Sequence, residues 1–222
     1  MISRKLKNTF YNIMGPLMYL NSRFFKFFRS PLPGNDRVIK VHLGPGQKNY
    51  LKGWINIDAN LFSAKIDVWA DLRNSLPLRK SSVNIFYSHH FIEHLPNLQF
   101  HFNELFRCLK PGGKLRIGGP NGDSAIKKFM ANDIDWFSNF PDKRNSIGGR
   151  LENFIFCKQE HLTILTFSYL EELSLNAGFK NITLCLPATE TNYPNLINED
   201  IFSKEWITDM IYPHTIIIEC EK

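Results

Sequence analysis

The chain has 222 residues, of which 43% are hydrophobic and 22% charged, values that suit one globular domain with a sizeable core. This composition is ordinary for a folded, soluble protein and does not indicate disorder, and four cysteines without a C-x-x-C pair favour neither a disulfide framework nor a zinc ribbon. The formal net charge of +6 is carried by residues 1–37, which hold seven basic residues and one acidic residue, so the remainder is neutral.

Residues 1–36 are predicted to form a basic, aromatic arm. Its uncharged run, residues 8–22, covers 15 residues and contains Gly15-Pro16, whereas a membrane-spanning helix needs about 20 apolar residues. We therefore predict neither a membrane span nor a secretory signal. Two interpretations remain: residues 1–30 lie on the inner face of a membrane, or the arm packs on the domain and covers its active site. We favour the packed arm in a cytoplasmic protein.

Residues 37–222 are predicted to form one α/β domain. Short apolar runs that alternate with helical or loop segments predict a mostly parallel sheet with layers on both faces. The predicted strands are 38–43, 54–57, 66–69, 83–87, 114–117, 182–186 and 215–219. Asn97 is the predicted cap of a helix that runs to Leu109, and residues 168–177 form a second helix. The loosely patterned residues 121–166 are predicted to be an inserted lid or substrate-facing region.

Three successive strand ends carry glycine or aspartate. Leu43-Gly44-Pro45-Gly46 follows the first strand, and glycine there lets the backbone turn sharply and approach a ligand. Asp58 ends the second strand, where a carboxylate can accept hydrogen bonds from ribose hydroxyls. Asp71 follows the third strand beside Leu72 and could receive an adenine amino group. Because ligands of open α/β sheets bind outside the carboxyl ends of the strands, this set predicts a nucleoside site.

Five ordered pieces of the chain resemble class I S-adenosylmethionine-dependent methyltransferases, especially the small type 11 group. These pieces are Leu43–Gly46, Gly53–Asp58, Ala70–Leu72, Ser88–Leu95 and Leu109–Gly113. The resemblance implies a Rossmann-like, seven-stranded, mostly parallel sheet with helices on both faces, and S-adenosylmethionine as the cofactor. It implies that the cofactor-binding residues are Leu43, Gly44, Pro45, Gly46, Asp58, Ala59, Asp71, Leu72, Ser88 and His89.

The spacing between the glycine loop and the acid departs from the family's usual pattern. Asp58 follows Gly46 after only 12 residues, so we predict that the first crossover helix is very short or absent. The same spacing argues against a nicotinamide cofactor, which expects G-x-G-x-x-G and an acid about 20 residues further on. Asn49 stands where the third glycine of that pattern would be.

The segment Ser88–Pro96 contains H-x-x-E-H, a zinc-peptidase pattern. A peptidase needs two histidines one helical turn apart and a third ligand, but Pro96 disfavours helical geometry at Leu95. We therefore expect no metal. Within a methyltransferase, His90 and His94 would lie beside the transferred methyl group, and we predict them as general bases, His90 first. The alternative is that they only stabilise the loop.

His161 and Asn121 are predicted to bind the acceptor, and Arg116 is a further candidate. His161 resembles the histidine of a Glu-His pair found at this place in the family, and Asn121 with Arg116 flanks the end of the fifth strand. We predict a methyltransferase for a small molecule or glycan. The alternatives are a nucleic-acid methyltransferase, which we rank lower, a cofactor-binding protein without turnover, and a zinc peptidase. The sequence leaves the acceptor and the oligomeric state open.

Overall fold

The computed structural model describes residues 4–34, 36–62, 64–205 and 209–222. The α-helices are α1 (Arg4–Phe24), α2 (Leu98–Cys108), α3 (Gly122–Met130), α4 (Ile147–Phe156), α5 (Phe167–Ala177) and α6 (Glu199–Phe202). The strands are β1 (Lys40–Leu43), β2 (Ile55–Asp58), β3 (Val68–Trp69), β4 (Val83–His89), β5 (Leu109–Pro120), β6 (Lys180–Cys185) and β7 (Thr215–Glu221). The side chain of Asn97 accepts from the backbone N–H of Phe100, so the predicted cap of α2 is confirmed.

The strands form one seven-stranded sheet in the order β3-β2-β1-β4-β5-β7-β6. The first five strands in this order are parallel, and β7 runs antiparallel to both β5 and β6. Side chains alternate between the two faces of a strand, so Phe86 packs with α2 and α5, whereas Ile85 and Tyr87 pack with α6. The predicted sheet with helices on both faces is confirmed.

The connection from β1 to β2 contains turns and no helix, as the short spacing predicts. The buried side chain of Asn56 organises it, because its amide donates to the carbonyl oxygens of Leu51 and Trp54. Its Oδ1 accepts the backbone N–H of Leu51 at 3.0 Å. These hydrogen bonds satisfy the buried amide. They fix the conformation of a connection that has no helix, and they hold the start of β2 in place.

The arm is a long helix that lies against the domain. Met18 is fully buried, and the amide of Asn21 donates to the carbonyl oxygen of Trp69 at 2.7 Å. Helix α1 continues through a π-helical turn, Phe25–Arg29, where the Arg79 side chain donates to the carbonyl oxygen of Lys26. The predicted packed arm is therefore present. Among the described residues, no helix combines the length and apolar character needed to cross a bilayer.

Residues 121–166 include α3 and α4 and pack near the carboxyl end of β5. Their apolar side chains form a small separate core, whose buried members are Ala125, Trp136, Phe137 and Ile155. Gly122 donates its N–H to the carbonyl oxygen of Leu165, which ties the two ends of this region together.

Two buried histidines make stability depend on pH. Burial lowers the pKa of His42 and of His101 from 6.5 to about 4. The unfolded chain protonates these histidines near pH 6.5, whereas the folded chain does so only near pH 4. The contribution of the two histidines to the free energy of unfolding is therefore complete above pH 6.5 and is lost as the pH falls towards 4. We expect His101→Leu to reduce the slope of unfolding free energy against pH by about 1.4 kcal/mol per unit in this window. Urea unfolding between pH 7 and 4.5 measures it, and an unchanged slope would contradict the assignment.

Candidate functional site

The loop after β1 has two glycines in left-handed backbone conformations, Gly44 with φ +68° and Gly46 with φ +55°. A Cβ atom on Gly44 would lie 2.5 Å from the ring of Phe91, so this glycine allows close packing against the loop after β4. A Cβ atom on Gly46 would meet nothing within 4 Å. The backbone at Gly46 is therefore open to the approach of a ligand.

Asp58 is held beside this loop at the end of β2. Its Oδ2 accepts the N–H of Gly46 at 3.0 Å, and its Oδ1 accepts the N–H of Asn60 at 2.9 Å. Each carboxylate oxygen has a second lone pair, so the group can still accept hydrogen bonds from ribose hydroxyls. The two glycines and Asp58 come together as predicted, and they form a preorganised end of the site.

Asp71 is engaged differently from the expectation. Its Oδ1 accepts the N–H and the Nε–H of Arg73, and its Oδ2 accepts from Nη2 of Arg73 and from Asn74. Four donors use the four acceptor positions of a carboxylate, so an adenine amino group would have to displace one of them. Leu72 beside it is buried, and both residues line the same cavity as Asp58.

The arm forms one wall of this cavity, which has a volume of about 260 Å³. The guanidinium of Arg73 lies 3.4 Å from the ring centroid of Tyr11, and Lys7 pairs with Glu160 across the opening. Burial and the nearby carboxylate of Asp71 raise the pKa of the Tyr11 phenol. The predicted arm does cover the site, but no local sequence pattern marks Tyr11, Arg73 or Glu160 as lining residues.

Ser88 and His89, predicted to lie beside the methionine part of the cofactor, are buried. The Ser88 hydroxyl donates to the carbonyl oxygen of Leu43 at 3.2 Å. Burial, with a smaller effect from His90, lowers the pKa of His89 well below its ordinary value, so its ring is neutral. Neither side chain lines the cavity that Asp58 borders.

The histidines of the loop after β4 surround Glu93. Nε2 of His90 lies 3.0 Å from Oγ1 of Thr215, and its Nδ1 lies 3.4 Å from Oε1 of Glu93. His94 lines the cavity with its Nε2 3.8 Å from the same carboxylate oxygen. His94 is thus better placed than His90 to meet an acceptor, the reverse of the predicted order. A zinc peptidase would need His90 and His94 on one helix. His90 has a left-handed backbone conformation, with φ +52°, and of these two histidines only His94 lies in the short 3-10 turn Ile92–His94, so that helix does not form.

Glu93 is fully buried, which by itself would raise its pKa. A hydrogen bond from His90 and the nearby rings of His94 and His161 outweigh that effect, and its pKa lies below the ordinary value. A Cβ atom on Gly119 would lie 2.9 Å from Oε2 of Glu93, so β5 closes over this carboxylate. The sequence offered Glu93 only as part of the H-x-x-E-H pattern.

The predicted acceptor residues lie in different places. His161 is next to His94, with ring centroids 5.1 Å apart, and therefore borders the same site. Asn121 is a helix cap, because its side chain accepts the N–H of Ser124 at 3.0 Å. Arg116 is fully buried between Glu205 and Glu219. Neither Asn121 nor Arg116 lines the cavity that Asp58 borders, so an acceptor in that cavity would not meet either side chain.

Comparisons with known proteins agree with this architecture. A family model for a methyltransferase domain matches residues 28–117. A SAM-dependent methyltransferase from Thermotoga maritima, described as a possible histamine N-methyltransferase, aligns over 96% of this chain and 99% of its own, with 16% identity and a TM-score of 0.51. One from Archaeoglobus fulgidus aligns over 99% and 95%, with 14% identity and a TM-score of 0.52. The plantazolicin methyltransferase, solved with SAH, aligns over 99% and 90%, with 15% identity and a TM-score of 0.51.

Curated relatives from Rickettsia rickettsii are named tetraacyldisaccharide 4'-kinase. They are 32% identical to this chain over 88 residues, which is 40% of this chain and 27% of the relatives. The chain thus matches about a quarter of their length. A P-loop needs Gly-Lys followed by Ser or Thr, and the one Gly-Lys pair of this sequence, Gly113-Lys114, precedes leucine.

Proposed function

We propose that this chain is a class I S-adenosylmethionine-dependent methyltransferase that methylates a hydroxyl or amine of a small molecule or glycan. A family model for a methyltransferase domain, which matches residues 28–117, supports the first part of this proposal. The observation that carries the proposal is the junction of Gly46 and Asp58 at the carboxyl edge of the sheet, beside an open cavity. Open approach at Gly46 suits the amino acid part of the cofactor, and the carboxylate of Asp58 suits its ribose.

S-adenosylmethionine, when bound, supplies an electrophilic methyl group on a positive sulfur. The chain's own contribution is then mainly alignment, since the leaving group needs no acid. Leu72 offers an apolar surface to the adenine, and Tyr11 of the arm closes the cavity over it. His94, at the cavity wall, is the residue we propose to accept a proton from the acceptor.

Asp58→Asn tests the cofactor site. We expect the affinity for S-adenosylhomocysteine to fall about 10- to 100-fold, because hydrogen bonds to a charged group contribute about 1.5–3 kcal/mol each. Asparagine keeps one acceptor oxygen for the loop, which limits damage to the fold. Isothermal calorimetry measures the affinity, and Asp200→Ala, at an exposed position of helix α6, is the control that should bind normally. Wild-type protein that does not bind the nucleoside would refute the proposal.

The acceptor or its carrier is proposed to lie at a membrane surface, because the outer face of the arm is apolar. Six side chains that recur at helical spacing are more than half exposed: Ile13, Leu17, Leu20, Phe24, Phe27 and Phe28. The opposite stripe, with Tyr11 and Met18, packs on the domain. Basic residues Arg23, Lys26 and Arg29 accompany the exposed stripe, a combination typical of helices that lie on anionic lipid.

Vesicle flotation tests this contact. We expect the wild-type chain to float with vesicles that contain anionic lipid. Leu20→Gln with Phe28→Gln should lower the partition coefficient onto these vesicles about 100-fold or more, since each lost apolar side chain removes about 1.5 kcal/mol or more of binding free energy. The matched control is Leu175→Gln with Leu184→Gln, which changes two equally exposed leucines elsewhere. Equal flotation of the two double variants would refute the membrane contact. Oligonucleotide binding with steep salt dependence, unaffected by the arm variant, would instead favour nucleic acid.

A further inference from the structure

Glu93, His94 and His161 form a cluster of possible metal ligands next to the cavity. Oε1 of Glu93 lies 3.8 Å from Nε2 of His94 and 3.9 Å from Nε2 of His161. One ligand atom from each of the three residues lies within 4.8 Å of the other two. The backbone also joins the three, because Leu162, which follows His161, donates its N–H to the carbonyl oxygen of Glu93 at 2.7 Å.

The hydrogen bonds of Nδ1 show which ring nitrogen carries the hydrogen in His94 and in His161. Nδ1 of His94 lies 2.8 Å from the carbonyl oxygen of Glu160, and Nδ1 of His161 lies 3.0 Å from that of Ile155. A carbonyl oxygen only accepts, so each Nδ1 carries the hydrogen. In a neutral ring, Nε2 then presents a lone pair towards the Glu93 carboxylate.

Two lone pairs and a carboxylate oxygen repel one another unless a metal ion, or a proton on one of the rings, lies between them. The distances of 3.8 and 3.9 Å also exceed the usual range for a hydrogen bond. Ligands about 2.0–2.1 Å from one tetrahedral zinc ion lie about 3.4 Å apart, so the two distances between Glu93 and the imidazoles would shorten by about half an ångström on coordination. A histidine that binds a metal through one ring nitrogen commonly donates its other N–H to a backbone carbonyl, which fixes the orientation of the ring. His94 and His161 both have a backbone carbonyl in this position.

We propose that Glu93, His94 and His161 bind one divalent transition-metal ion, with zinc as the best match. Two imidazoles and one carboxylate suit zinc, and three protein ligands leave a position open. That position would face the cavity, which His94 and Glu160 line together with Asp58. Its role rests on the proposed function: the ion would hold an acceptor oxygen or nitrogen near the cofactor and would lower the pKa of that group, in place of His94 as the base, because the ion occupies the Nε2 lone pair of His94.

His90 supports the site without being one of the ligands. Its Nδ1 lies 3.4 Å from Oε1 of Glu93, and its Nε2 lies 3.0 Å from Oγ1 of Thr215. The His90 ring therefore orients the carboxylate. This distinguishes the proposed site from the peptidase pattern in Ser88–Pro96, which would use His90 and His94 as its pair. The ligand that the pattern lacks is His161, which the fold brings from the far end of the inserted region.

The test is zinc binding to the tag-free chain of residues 1–222 after treatment with a chelator. We expect one zinc ion per chain by calorimetry, and visible absorption from cobalt in a four- or five-coordinate site. Glu93→Gln and His161→Gln should each weaken zinc binding by more than about 100-fold, the upper end for losing an outer partner alone. His90→Gln should weaken it about 10-fold, and the remote variant His214→Gln should not change it.

Three outcomes overturn the proposal: substoichiometric zinc in the wild-type chain, unchanged affinity in Glu93→Gln and His161→Gln, or an equal loss in His90→Gln and His161→Gln. Circular dichroism of each variant checks that it is folded. Calorimetry with S-adenosylhomocysteine on the same zinc-free protein separates the two proposals. Nucleoside binding without zinc binding removes only the metal site, whereas zinc binding without nucleoside binding removes the proposed function.

Discussion

Replacing Arg116 by methionine should reduce the free energy of unfolding by about 3–5 kcal/mol, the usual cost of breaking a buried ion pair. Nη2 of Arg116 lies 2.6 Å from Oε2 of Glu205, and Nη1 lies 2.7 Å from Oε1 of Glu219. All three side chains are completely buried. Methionine fills much of the space but leaves two carboxylates in the core without a counter-charge. Urea unfolding at pH 7 measures the loss.

Arg144→Met is the matched control, because Arg144 is exposed and lies 3.8 Å from Glu152. Surface pairs of this kind contribute about 1 kcal/mol or less. The triple variant Arg116→Met, Glu205→Gln, Glu219→Gln should recover part of the lost stability, since it removes the isolated charges. A single variant at Arg116 no less stable than the Arg144 control would show that the buried ion pairs are not what stabilises this region.

Gly44→Ala should destabilise the protein by about 2–5 kcal/mol and abolish cofactor binding at the loop. Alanine at φ +68° carries left-handed strain, and its Cβ would lie 2.5 Å from the ring of Phe91. Phe91 would have to move, and it also lines the cavity. Urea unfolding and calorimetry with S-adenosylhomocysteine measure the two effects.

Gly46→Ala separates strain from ligand approach. Its φ is +55°, but its Cβ would meet no protein atom within 4 Å. We expect a smaller loss of stability, about 1–2 kcal/mol, together with a clear loss of nucleoside affinity because the new methyl group occupies the approach. A Gly46→Ala protein that binds the nucleoside like the wild type would show that the ligand does not reach this loop.

The strand-end half of the site could be predicted from local sequence. A glycine pair or an aspartate directly after an apolar run marks a strand end, and parallel strands bring their carboxyl ends to one edge. Gly46 and Asp58 are joined for that reason. The cap of α2 by Asn97 is also a local signal. The helix-capping role of Asn121 has the same form, with Ser124 three residues later, and could have been recognised.

The remaining contacts depend on how distant segments meet. Tyr11 packs on Arg73, and His161 reaches Glu93, through pairs separated by more than 60 residues. Hydrophobic periodicity assigns a residue to a face of its own helix or strand, and it says nothing about which distant residue lies opposite. Arg116 illustrates the difference, since an arginine within a strand suggests an exposed position until both of its glutamates are placed.

The position of β7 has a consequence for folding during synthesis. β7 lies between β5 and β6, and it supplies Glu219 to Arg116 of β5. While the ribosome is still making residues 215–221, β5 has an unpaired edge, and Arg116 lacks one of its two carboxylate partners, Glu219. The nascent sheet therefore stays incomplete until almost all of this sequence has emerged, and a chaperone that shields β5 during that interval would raise the yield of native protein.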